Sequence, residues 1–271
     1  NNTTASENTA VGMQAGYNNT VGAKNTFIGR VAGYNVRGSN SVAVGSRALY
    51  APAINTNNPT QSNVAVGESA LILANLTSGT IEYNTVVGTD TARNYQRTTG
   101  GFFNNTAIGG SSMDVFNQTT GVTDQNVSVG YNALRLNSVT TGNVSYNVAI
   151  GNEALQAAAT TTANTYYNTA IGRRALKNNN GGAYNTAIGP DALYLTTTGA
   201  ENVAIGSFAL DSNTTGLGNV AIGYGSGNTI TTGSRNVILG SYDGNQGGLD
   251  IRTSSNMIVL SDGNGNARLF I

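Results

Sequence analysis

Apolar residues recur along this chain at two-residue spacing, inside a five-residue phrase that closes on glycine. Asn-Val-Ala-Ile-Gly occupies 202–206 and returns at 219–223, seventeen residues later. Aligned on the closing residue, copies end at Gly12, Gly29, Gly45, Gly67, Gly88, Gly109, Gly130, Gly151, Gly172, Gly189, Gly206, Gly223 and Gly240. A degenerate copy, NMIVLS, puts Ser261 in that place. Alternation with a period of two predicts a short strand in every copy. The residue before Gly is always Val, Ile or Leu, and two residues earlier stands Val or Thr. Between them, on the opposite face, stands mostly Ala. We expect the Val/Ile columns to form the core and the Ala column to lie where another surface comes close. That surface is either a second chain or the far side of the same narrow roll. Four residues after Gly comes a second apolar column (Leu49, Leu71, Leu134, Leu155, Leu176, Leu193, Leu210), predicted to open a second strand before a polar loop.

Most copies are 17 or 21 residues apart. The four-residue difference is expected in the loop, because loop insertions cost little while a shift inside a strand would invert its faces. Self-similarity at this period is the mark of a solenoid. The fold expected is all-β: a parallel β-roll, or β-solenoid, of about 14 coils over residues 1–255. Residues 256–271 form a degenerate last coil and an exit segment toward a missing C-terminal region. One coil buries too little apolar surface to stand alone, so only the array is stable.

The Asn that opens each phrase forms a further column: Asn8, Asn25, Asn63, Asn84, Asn105, Asn126, Asn147, Asn168, Asn185, Asn202, Asn219, Asn236 and Asn256. At a coil corner Asn satisfies turn backbone groups and hydrogen-bonds the Asn above and below, as a structural ladder. The functional alternative is a row of amides reading a ligand. Just before that corner the longer coils carry aromatic residues, Tyr83, Phe102, Phe103, Tyr146, Tyr166 and Tyr167, followed by Tyr184. Stacking would align them as a broken stripe. It either contacts a glycan or covers the loops and the groove between chains.

Composition narrows the chemistry. Charged residues make up 10% of the chain, against roughly 25% in ordinary globular proteins. Net charge is zero and no Lys/Arg cluster stands out, which argues against a nucleic-acid binder. With no His and no Cys, the usual nucleophile–base pairs, thiolate metal sites and disulfides are excluded. No cofactor or metal site is expected. Two residues past Gly, Glu153, Arg174 and Asp191 predict a surface ladder of alternating charge. Asp262–Asn266 imitates the first half of a calcium loop, but the acid eleven positions on is missing, so a Gly/Asn turn is expected. There is no apolar run of membrane-spanning length and no leader. The chain begins at Asn1, inside a repeat, and reads as a piece of something longer.

At NVAIG and NTAIG the sequence resembles the head repeats of trimeric autotransporter adhesins. The longer pattern N-T/V-A-I-G-x-x-A-L followed by T-T-G looks still more like repeat regions of bacteriophage tail fibres, and NMIVLSDGNGNARLFI resembles the exit from such repeats. The adhesin repeats are shorter than 17 residues, so coil geometry is expected to differ. The resemblance implies a left-handed roll and a homotrimer. The function it implies is a non-enzymatic fibre module on a virion, attaching to a host-cell surface glycan or protein without inserting into the membrane. The alternatives are the head of a bacterial surface adhesin, a glycan-cleaving fibre and, more remotely, an ice-binding solenoid.

Overall fold

A computed structural model describes residues 6–51, 60–72, 79–93, 99–115, 120–136, 141–157 and 165–271, the side chain of Phe270 excepted. Among these residues there is no helix. The fold is an all-β solenoid in which each pentad supplies a three-residue strand. These strands pair in parallel and in phase with the next copy. The described residues form two compact units, the first up to Tyr146 and the second from Asn147 onward.

In the first unit the pentad strands run from Thr9–Val11 through Thr26–Ile28, Val42–Val44, Val64–Val66, Thr85–Val87 and Thr106–Ile108 to Val127–Val129, each paired with its successor. A second parallel sheet is built from two-residue strands: Thr60–Gln61, Ile81–Glu82, Phe102–Phe103, Thr123–Asp124 and Val144–Ser145. In the second unit the pentad strands run from Val148–Ile150 to Val237–Leu239 and on to Ile258–Ser261. There Ala267–Phe270 returns antiparallel and ends the parallel stack.

The Val/Ile columns do not form the core as expected, and the Ala column takes the second of its two expected settings, facing the far side of the same narrow roll. The Ala column points inward: Ala149, Ala170, Ala187, Ala204 and Ala221 are fully buried. The Val/Ile column before Gly points outward, with Ile150, Ile188 and Ile222 at 38%, 36% and 40% exposure. The coil interior is narrow, and the space opposite Ala is filled by Ala and Leu three and four residues past Gly, such as the buried Ala209 and Leu210. Exceptions show the same volume being shared out differently. Where the inner strand position is Phe27, the Leu positions of its own and the preceding coil are Gly33 and Gly16. A methyl added at either would sit 2.3 Å or 2.7 Å from the Phe27 ring. Close packing makes such swaps tolerable only in pairs.

The segment after Gly is a tight turn and not the second strand expected. The second strand comes instead before the Asn, and only in the longer coils. The residues in which the four-residue insertion was expected lie partly outside the described residues. Left-handed backbone recurs at fixed places, two and four residues past Gly and one before the Asn, as at Asp191 (φ 59°), Leu193 (φ 52°) and Tyr184 (φ 60°). The closing Gly is required on two counts. At Gly206 φ is +133°, and a Cβ would lie 2.3 Å from the Gly223 carbonyl oxygen of the next coil.

Candidate functional site

The Asn corner is a buried hydrogen-bonded column. In the first unit the Asn84 N–H donates to Asn63 Oδ1 at 3.1 Å, and Asn105 and Asn126 repeat that bond on Asn84 and Asn105 at the same length. In the second unit Asn168 bonds Asn147, and the chain of bonds continues through Asn185, Asn202 and Asn219 to Asn236. Each carboxamide Nδ2 also donates to a backbone carbonyl of the next coil, for example Asn84 to Phe102 and Asn202 to Gly216, at 2.8 Å and 2.9 Å. The amide groups are therefore consumed internally, and no row of amides faces a ligand. At the open end Asn8 is half-buried and still holds the Asn25 N–H at 2.8 Å. The coil between Asn25 and Asn63 uses Ser41, whose hydroxyl accepts from the Asn63 N–H.

Asn256 does not belong to this column. Val237 pairs with Ile258, so the corner position falls on Met257, whose N–H donates to Asn236 Oδ1 at 3.0 Å. Asn256 is one residue early, exposed, with φ +63°. Its position corresponds to the left-handed corner held by Tyr83 and Tyr184, where Asn is tolerated for its backbone and not for its side-chain bonds.

The aromatic residues divide into separate groups. Phe102 is buried in the core of the second sheet, between Ile81 and Thr123. Phe103, next along the strand, points the other way and is half-buried. Tyr83 and Tyr146 sit exposed at the left-handed corner, but Asn104 and Gln125 hold the same place in the coils between them. In the second unit Tyr167 and Tyr184 stack at 5.1 Å with rings 7° apart, and Tyr166 meets both edge-on at 5.6 Å. These three of the expected stripe meet as a group, while Phe102 is a core residue. A different aromatic column, five residues past Gly, was missed: Tyr17 and Tyr34 stack at 5.4 Å and 4°, and Tyr50 follows at 5.5 Å.

Several charged groups pair off structurally. Asp191, buried, holds Arg173 and Arg174 at 2.7 Å, while Glu153 takes Lys177 at 2.8 Å rather than extending the expected ladder. Burial pushes the Asp114 carboxyl above the usual carboxylate range, against the bond from Arg93 that pulls it down. Asp262 is spent on its own turn. It accepts from the Asn264 and Asn266 N–H groups at 3.0 Å and from the Asn266 and Arg268 side chains, and these bonds, that of Asn266 foremost, hold its pKa at about 2. Among the described residues no three His, Cys, Asp or Glu side chains gather as metal ligands, and no helix is long and apolar enough to cross a membrane.

Each unit also presents the outer face of its pentad sheet. It presents two columns, Thr/Val and Val/Ile/Leu, without a charged residue in either. The chain matches no family model, and neither a curated protein nor a solved structure proved similar to it.

Proposed function

We propose that this chain is a structural fibre module: a non-enzymatic homotrimer that carries attachment to a host-cell surface, as part of a virion tail fibre. One observation carries the reading, the uncharged outer face of the pentad sheets, with Ile108, Ile150, Ile188 and Ile222 about 40% exposed in the single chain. Within each unit, an uncharged column of half-exposed aliphatic side chains of this kind suits a protein contact. Covering it with further copies removes apolar surface at roughly 25 cal/mol per Å2. The NVAIG phrase, shared with trimeric surface fibres, supports three copies. The buried Asp191 is bonded to Arg173 and Arg174, and the Asn column to itself, which supports a mechanical role.

Attachment then works by avidity. Three copies present the same weak loop contacts together, and linkage raises apparent affinity by about 10²–10⁴-fold over one contact. The test is binding of labelled protein to host cells, for the parent and for Ile188→Asp with Ile222→Asp. Cell binding that falls by at least tenfold, with the β-sheet circular dichroism kept, is expected. Binding unchanged by the double substitution would overturn the avidity mechanism. Shortening of host polysaccharide by the purified protein would overturn the non-enzymatic reading.

A further inference from the structure

The first coils carry an unbalanced charge. Residues 6–51 contain Lys24, Arg30, Arg37 and Arg47 but a single acid, Glu7, in a protein whose total charge is zero. Two of these cations meet in one place. Gln14, Arg30, Val31, Tyr34, Arg47 and Tyr50 line a cleft of about 350 Å3 on three successive coils of the first unit. Elsewhere Arg93, Arg173, Arg174, Arg252 and Arg268 each hold a carboxylate. The guanidiniums of Arg30 and Arg47 hold none among the described residues. One wall of the cleft is aromatic, because Tyr34 lies between Tyr17 and Tyr50 in the ring column. The backbone beneath is fixed in left-handed turns at Gln14, Val31 and Arg47.

We infer that this cleft binds a carboxylate-bearing sugar of an acidic glycan. Along the column the faces of Tyr34 are turned to Tyr17 and Tyr50, so a pyranose would lie with its apolar C–H face across the outer edges of Tyr34 and Tyr50. Its carboxylate supplies what two unpaired guanidiniums lack, because a guanidinium presents a planar fork of donors that a carboxylate matches in pairs. A neutral sugar would satisfy the tyrosines and leave both cations unanswered. The volume lies at the small end of ligand clefts, which fits one or two sugar units. The sequence hid this site because Arg30 and Arg47 are seventeen residues apart and stand at different offsets from their glycines. The inference rests on the surface-attachment reading and names the chemistry recognised.

Calorimetric titration of the full chain with oligogalacturonate tests it, beside a neutral galactose oligomer and inorganic phosphate as separate probes. Sedimentation is followed on every variant. Expected are binding of the acidic oligomer alone, a loss of about tenfold or more for Arg30→Ala or Arg47→Ala, a similar loss for Tyr34→Ala, and weakening by salt. Equal affinity for the neutral oligomer, or full displacement by phosphate, would overturn the acidic-sugar assignment. So would Arg variants that bind normally, or no binding by the parent chain. Arg variants that change the oligomeric state would make the cleft an interface and overturn it too. Failure here with the assembly and cell attachment intact removes this site alone, whereas loss of attachment in the parent protein removes the wider reading.

Discussion

Replacing Asn202 tests the corner column at its centre. Its Nδ2 donates to Asn185 Oδ1 at 3.1 Å and to the Gly216 carbonyl at 2.9 Å, and its Oδ1 accepts from the Asn219 N–H at 2.9 Å. Asn202, Asn219 and Gly216 are all buried. In Asn202→Ala the Asn219 N–H loses its acceptor, while the Gly216 carbonyl keeps a second, longer bond from Asn213 at 3.2 Å. An orphaned buried amide costs about 1–3 kcal/mol and a lost neutral bond about 1, so the change should destabilise by about 2–4 kcal/mol. Asn202→Asp should be worse at neutral pH. It keeps the acceptor for Asn219 but sets a buried negative charge against the Gly216 carbonyl. Acidification protonates that carboxyl and should narrow the gap between the variants. Since a repeat array need not unfold in two states, the direct measurement is hydrogen exchange at the Asn219 amide, read beside a denaturant melt. A change below about 0.5 kcal/mol, the scale of an ordinary surface substitution, would refute the reasoning.

Three further outcomes are expected. Ala204→Leu, in the narrow coil interior, should destabilise by about 1–3 kcal/mol through overpacking, whereas Ile205→Thr, on the outer face, should leave the melt of the dissociated chain within about 1 kcal/mol; the reverse order would restore the sequence-based assignment of faces. Gly206→Ala should cost about 1–3 kcal/mol from the left-handed backbone alone, before the clash with Gly223 is counted, and a neutral result in a thermal melt would contradict the close approach of the coils. The Asp262 turn has its carboxyl pKa lowered to about 2, so its contribution is present above the ordinary carboxylate value of about 3.9 and is lost as pH falls toward 2. Amide exchange at Asn266 should rise across that interval, more weakly at high salt, and no change would leave the Asp262 bonds without effect.

The stacking was readable because phase and chemistry agree in most copies, so the strands, the closing Gly and most of the Asn column could be placed from spacing alone. The faces were not. Larger aliphatic residues were assigned to the interior, yet the interior is so narrow that, opposite a leucine, Ala fits it and Ile does not. Phe27 beside Gly16 and Gly33, and Ile238, whose Cδ1 would lie 3.0 Å from a Cβ added at Gly227, carried that information, since a large inner residue appears where a leucine position is emptied. Phe102 and Phe103 held a similar clue, because consecutive strand residues point to opposite faces and one of the two had to lie inside. Asn256 was placed in the column by residue type, although the register that ends at Ser261 assigns its place to Met257. The cleft of Arg30 and Arg47 depends on coils brought together by stacking, at offsets that a linear scan does not align.

Sedimentation equilibrium of the purified chain in the micromolar range is the most direct check on the outward apolar face as the contact between copies. The parent chain should sediment at about three times its 27.7 kDa, and Ile188→Asp with Ile222→Asp should sediment as a folded single chain. A parent protein that remains monomeric across that range, or a double variant that still assembles in threes, would contradict the account.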